Sequence, residues 1–294
     1  MRFDAIQTSQ VSKRAPLIAS AIALLFASFG AVHAEAPAAS VKPMANDAAS
    51  CEAAAAVAAK PSTACLVVAG QLVDQAHRYY LAGDAANAQP YLERAARIAP
   101  EDARVSFEQA LVDDASGRPQ EARKRYDLLK STPMAAAAAV PSAVNLVALG
   151  RFDDARNAFA LLAASQDAYL SGYAQLWQLW LDARSYRGDV APLREKLARA
   201  TVGVRAANAQ QQALLNLYAG QGSVDAVFAA IDASTPENSL QRKDARTEAA
   251  LFAGGYLQYV LRDKAAAQRL YRRELPQSGA SVERPLIQQS IGSL

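Results

Sequence analysis

The chain has 294 residues, 52% of them hydrophobic, with 14 glycines, 13 prolines, two cysteines and a net charge of +3. So few turn formers argue against a hairpin-rich β fold, and so small a charge supplies no basic face for nucleic acid. Much of the apolar content is alanine, the residue that loses least on entering a helix, so an all-α protein is expected.

At the N-terminus, Arg2, Lys13 and Arg14 precede an uncharged run from Pro16 to Val32. Val32-His33-Ala34 closes it with a small-x-Ala pattern. This reads as a signal peptide, residues 1–34, cleaved after Ala34, and so predicts a periplasmic chain. The run is short for a stable membrane span, which needs about 20 apolar residues. Residues 1–34 carry three bases and one acid, and their removal leaves 28 basic and 27 acidic residues.

Residues 35–64 form an Ala/Pro-rich linker and leader. Glu35 to Ser50, with Pro37 and Pro43, has the composition of a flexible linker. Cys51 to Lys60 suits a short Ala-rich helix stopped by Pro61. Cys51 and Cys65 are candidates for a disulfide in an oxidising compartment. The bridge would close a loop of 15 residues, worth about 3 kcal/mol in the chain-entropy model. A straight helix through Lys60 would hold the two sulfurs apart, so the leader must fold back. Cys51 follows Ala48-Ala49-Ser50 and lies 17 residues beyond Ala34. It is therefore badly placed for lipid attachment.

Residues 65–276 carry a repeat. Gly83, Gly117 and Gly150 are spaced by 34 and 33 residues. Ala88, Ala122 and Ala155 follow each glycine by five, Leu92, Tyr126 and Phe159 by nine, and Ala95, Leu129 and Leu162 by twelve. Pro100 and Pro133 close the first two units. The glycine suits a left-handed turn after a first helix, and the alanine lets the second helix approach closely. The large residue fills the space between units, and the proline ends the unit. Beyond these units, Tyr173, Leu176, Trp177, Trp180 and Leu181 make one helical stripe. Further apolar stripes run through Leu193 and Leu197, Leu214 to Tyr218, Val224 to Ile231, Ala249 to Val260, and Ala267 to Leu275. About six helix pairs are expected, stacked as a solenoid, because such units bury a core only against one another. Residues 277–294 read as a C-terminal tail.

The three units resemble the helix–turn–helix unit of tetratricopeptide-repeat (TPR) proteins in their second helices. Leu72, Gln75 and Ala76 stand where the usual first-helix tryptophan and Leu-Gly pair are missing. The second half is similar to the NlpI group of envelope TPR lipoproteins. The similarity is carried by Leu176-Trp177-Gln178-Leu179-Trp180-Leu181, and by Thr247-Glu248, Phe252, Gly254, Tyr256-Leu257, Asp263, Ala265 and Leu270-Tyr271. That resemblance implies an adaptor that brings cell-wall hydrolases to a protease or a synthetic complex. The absence of a lipobox cysteine sets this chain apart from the group.

Little in the sequence suggests catalysis. After cleavage His77 is the one histidine left to serve a Ser/His/Asp or Cys/His constellation, and a lone histidine set mid-helix is more often a surface or groove residue than a base. Two cysteines and one histidine do not supply a structural zinc site, and no cofactor is expected. Asp153-Asp154 starts a helix, where acids complement the macrodipole, and Asp113-Asp114 reads as the exposed end of another. Gly254-Gly255, inside a helical pattern, reads as a site of close packing.

In the TPR register the groove positions are Val73, His77 and Tyr80, then Phe107 and Leu111, then Val140, Val144 and Val147. This apolar groove suits a helix or extended segment of a partner protein. Equally, the chain fills it itself, for instance with the leader 51–60, or two copies meet there as a homodimer. The function expected is a periplasmic scaffold for protein–protein interactions. The alternatives are a TPR subunit of an export or assembly machine for polysaccharide or pili, and, from another class, an envelope enzyme.

Overall fold

A computed structural model describes residues 41–57 and 60–293. The signal-peptide expectation falls outside the described residues. Within them the fold is all-α, with fourteen α-helices and no strand. In chain order these are α1 (Val41–Ala55), α2 (Thr63–Leu81), α3 (Ala85–Ile98), α4 (Ala103–Ala115), α5 (Pro119–Leu129), α6 (Ala135–Ala148) and α7 (Phe152–Ala163). There follow α8 (Ala168–Ser185), α9 (Val190–Thr201), α10 (Ala209–Tyr218), α11 (Val224–Ser234), α12 (Leu240–Gly255), α13 (Lys264–Glu274) and α14 (Arg284–Ser293). No helix among the described residues is long and apolar enough to cross a membrane.

The turns obey the repeat. Gly83, Gly117, Gly150 and Gly220 all take φ between +71° and +77°. In each turn the next residue's N–H donates to a carbonyl five residues back: Asp84 to Tyr79, Arg118 to Asp113, Arg151 to Leu146, and Gln221 to Asn216. This pattern satisfies orphan carbonyls at a helix C-terminus and needs a residue without a Cβ penalty. The starts are capped from the sequence too. Ser62, Asp84, Asp102, Asp167, Asn208, Ser223, Ser239 and Asp263 each accept a first-turn N–H.

Consecutive helices pack on one another, with α2 on α3, α4 on α5, α6 on α7, α10 on α11 and α12 on α13. Alternate helices meet as well, so α2 touches α4 and α4 touches α6, while α8 touches both α10 and α12. The alanines Ala88, Ala122 and Ala155 are sealed at these contacts, with Leu92, Tyr126 and Phe159 beside them.

The leader and the tail differ from expectation. Val41–Ala55 is one helix, where Glu35–Ser50 suggested a flexible linker and Cys51–Lys60 the helix. Pro43 sits in the first turn, where its missing N–H has no intrahelical partner to lose. The helix then stops at Ala55, the chain folds back, and Cys51 is bonded to Cys65 with their Cα atoms 5.4 Å apart. The leader packs on α2 and α3, where its Glu52 pairs with Arg94 and Arg97. At the other end, the tail holds α14, which packs on α12 and α13 and also reaches α4.

Candidate functional site

Helices α2, α4 and α6 carry the eight groove positions. Val73, Tyr80, Phe107, Leu111, Val140, Val144 and Val147 are all buried, and His77 keeps 24% of its side chain exposed. The structure does not gather them into one patch. Val73, Tyr80, Phe107 and Leu111 belong to one apolar core, and Val140, Val144 and Val147 to a second, larger one. His77 Nδ1 lies 3.1 Å from Glu108 Oε2. Burial opposes a charged imidazole there, but the Glu108 carboxylate outweighs it and holds the His77 pKa above its ordinary value.

The C-terminal segment lies against α4, α12 and α13. Ala280 and Val282 pack on the first core, Val282 and Ile291 on the second, and Leu286 and Ile287 are buried within the second. The segment is anchored by its backbone as well: the Gly279 N–H reaches Thr247 Oγ1 at 2.9 Å and the Lys243 carbonyl at 3.4 Å. Asp244 stands so close to Gly279 that a Cβ there would strike its carboxylate. The Arg284 guanidinium turns back to the Leu275 and Ser278 carbonyls and so holds the bend that aims the segment inward.

At the centre of the contact is Glu283, 2% exposed, which accepts a 2.5 Å hydrogen bond from Tyr173 Oη. Glu248 lies on the same face. It accepts from Tyr169 Oη at 2.7 Å and from Gln210 Nε2 at 3.1 Å. Burial, and next the Glu283 charge, push Glu248 up to about 8. The same two causes push Asp244 up to about 6, with Lys243 pulling the other way. On α4, burial pushes Asp114 up to about 7 against the hydrogen bond from Asn145 Nδ2. The arrangement can hold protons and seat a carboxyl side chain in an apolar wall.

The exposed reading of Asp113-Asp114 is corrected here. Asp113 is buried and takes Arg118 at 2.7 Å and Arg125 at 2.9 Å, because the turn before α5 and α5 itself bring these arginines back over the end of α4. Asp153 is 98% exposed in the first turn of α7, as expected for a dipole partner. Gly254 and Gly255 do mark close packing: a Cβ at Gly254 would enter the Tyr271 ring, and one at Gly255 the Trp180 indole.

Sequence reasoning missed Asp244, Glu283, Tyr169 and Tyr173 as members of one site, and noticed Glu248 only within a resemblance. Each lies in an ordinary helical or loop context, and only the return of the tail joins them. The one readable signal was the apolar spacing of Val282, Leu286 and Ile287 in a segment taken as a tail. Among the described residues no group of three or more His, Cys, Asp or Glu side chains is placed to hold a metal ion. No family model matches this chain, and no curated protein matches it.

Proposed function

We propose that this chain is a protein-binding scaffold of TPR type that works in the periplasm, exported by its first 34 residues and built from about six helix pairs stacked as a solenoid. Four identical glycine turns, sealed alanine columns and contacts between alternate helices support the stacked reading. The Cys51–Cys65 bridge supports an oxidising compartment. The single observation that carries the binding function is the face of α4, α8 and α12, which already receives a polypeptide segment through backbone hydrogen bonds, apolar side chains and a seated carboxyl group. Repeat proteins commonly take partners this way.

The test begins with the full-length gene expressed in a Gram-negative host, followed by fractionation and N-terminal sequencing. A periplasmic product that begins at Glu35 is expected. Site-specific photo-crosslinking around Leu128 and Leu161, exposed on α5 and α7, and around His77 should then trap discrete protein partners. An uncut cytoplasmic chain, or a periplasmic one that crosslinks to nothing, rules the reading out.

A further inference from the structure

We propose that Ser278–Ser293 is a displaceable occupant of its binding face, and that the face accepts in its place a partner segment of the same chemistry. That chemistry is one carboxyl side chain among branched aliphatic residues, at the spacing of Val282, Glu283, Leu286 and Ile287. The inference rests on the scaffold reading and names the ligand class of that same face.

The face recognises its occupant in detail. Thr247 and the Lys243 carbonyl read the backbone at Gly279, Tyr173 Oη reads the Glu283 carboxyl, and Val282 bridges the two apolar cores. Any other segment that offers these groups would be met by the same partners. The occupant is also held without a covalent link, since the two cysteines, Cys51 and Cys65, are bonded to each other. Among the described residues Glu283 is met by a phenol and not by a base. The arginines of the region are engaged elsewhere. Arg284 serves its own turn, and Arg246 and Arg273 both pair with Glu274 of α13.

The charges around Glu283 add a direction. From α12 it faces Asp244 and Glu248, with Lys243 beside Asp244. From α8 it meets Tyr173, and from α2 it acts on Tyr80, which also feels Glu108 and Asp114 of α4. A carboxyl-bearing segment seated beside Asp244 and Glu248 is favoured while those two hold protons and opposed when they ionise. For acids whose pKa is raised by folding, the stabilisation is present at low pH and is lost as pH rises through the raised values. Asp244 at about 6 and Glu248 at about 8 therefore place the loosening between mildly acid and mildly basic solution.

The experiment uses the full chain and a fluorescent peptide of residues 278–293. A full-length variant carrying Glu283→Lys and Leu286→Asp disables the resident segment. Anisotropy should show this variant binding the peptide at least about tenfold more tightly than the wild-type chain, because a tethered competitor acts at high effective concentration. A peptide with Glu283→Lys should bind at least about tenfold more weakly, and binding should be tighter at pH 5.5 than at pH 8.5. On the wild-type chain, a glutamate-specific protease should cut after Glu283 well before Glu274 or Glu248, all three buried. Equal peptide binding by a folded variant overturns the proposal, as does cleavage at Glu283 no faster than at Glu274. If the variant fails to fold, the protease comparison on the wild-type chain decides alone. Peptide exchange needs no envelope partner, so failure here leaves the scaffold reading standing on other surfaces, and failure of the crosslinking leaves the exchange measurable.

Discussion

The segment α2–α7 and the segment α8–α14 solve the same packing problem with different materials. In the first, small residues recur at fixed intervals, and most contacts are between helices adjacent or next but one in sequence. In the second, large rings interlock. Trp177 meets Phe252, Trp180 and Tyr173 edge-on, and across the boundary it stacks on Phe159 of α7 with centroids 4.9 Å apart. Space for the rings is made by glycines, with Tyr271 over Gly254 and Trp180 over Gly255, and α12 passes directly into a π-helical turn, Tyr256–Val260. Such turns cluster where a helix departs from its regular contacts. The lesson is that an alanine-based stack writes its rule into the sequence, whereas a ring-based core is specified by shape between distant residues.

The sharpest way to break this comparison is to remove a ring. Trp177→Ala should cost about 3–5 kcal/mol, since the emptied site is walled by other rigid rings. Urea unfolding should show the loss, and a cost under about 1 kcal/mol would mean that the ring core is no more specific than the alanine stack. Cutting the bridge between Cys51 and Cys65 by a double Ser substitution should cost about 2–4 kcal/mol. The loss should fall on the α1–α3 end and leave Trp177 fluorescence unchanged until the main transition. Next in size, Gly254→Ala should cost about 1–3 kcal/mol by overpacking against Tyr271, whereas Gly117→Ala should cost only about 1 kcal/mol, because its turn has free space and only the positive φ resists. Equal losses at the two glycines would erase the distinction between the halves.

The smallest expected effect is a pH dependence. His77 and the carboxyls Asp114, Asp244 and Glu248 all have folded-state pKa values above their ordinary ones. Each contributes stability at low pH that is lost as pH rises through its raised value, so all four act in one direction. The melting temperature should therefore fall by a few degrees between pH 5.5 and 8.5, each 1 kcal/mol being roughly 2–4 °C in a domain of this size. A melting temperature that rises over that range would remove the buried-acid account.

The sequence was readable where structure is local. Gly83, Gly117 and Gly150, their alanine columns, and the Tyr173–Leu181 stripe all lie within one or two turns of the residues that explain them. It was unreadable where partners are far apart. Tyr173 and Glu283 are separated by 110 residues, and Tyr169 and Glu248 by 79. No periodicity joins such pairs. Asp113 was misread for a related reason: its arginines come from the turn and helix that follow, and nothing in that turn's sequence tells which side chains it aligns. The leader was misread because Pro43 looks like a linker residue until its place in a first turn is known.

The cross-link between Cys51 and Cys65 has a consequence for how the molecule comes apart. Chain ends held by few or non-covalent contacts open before a packed core does. Among the described residues helix α1 is stapled by the bridge, while the C-terminal segment is held by hydrogen bonds and apolar contacts alone. Heat or base should therefore peel the chain in a single polarity, from Ser293 toward the bridge, and an optical-trap trace or a time course of amide exchange would read as a zipper with one closed end.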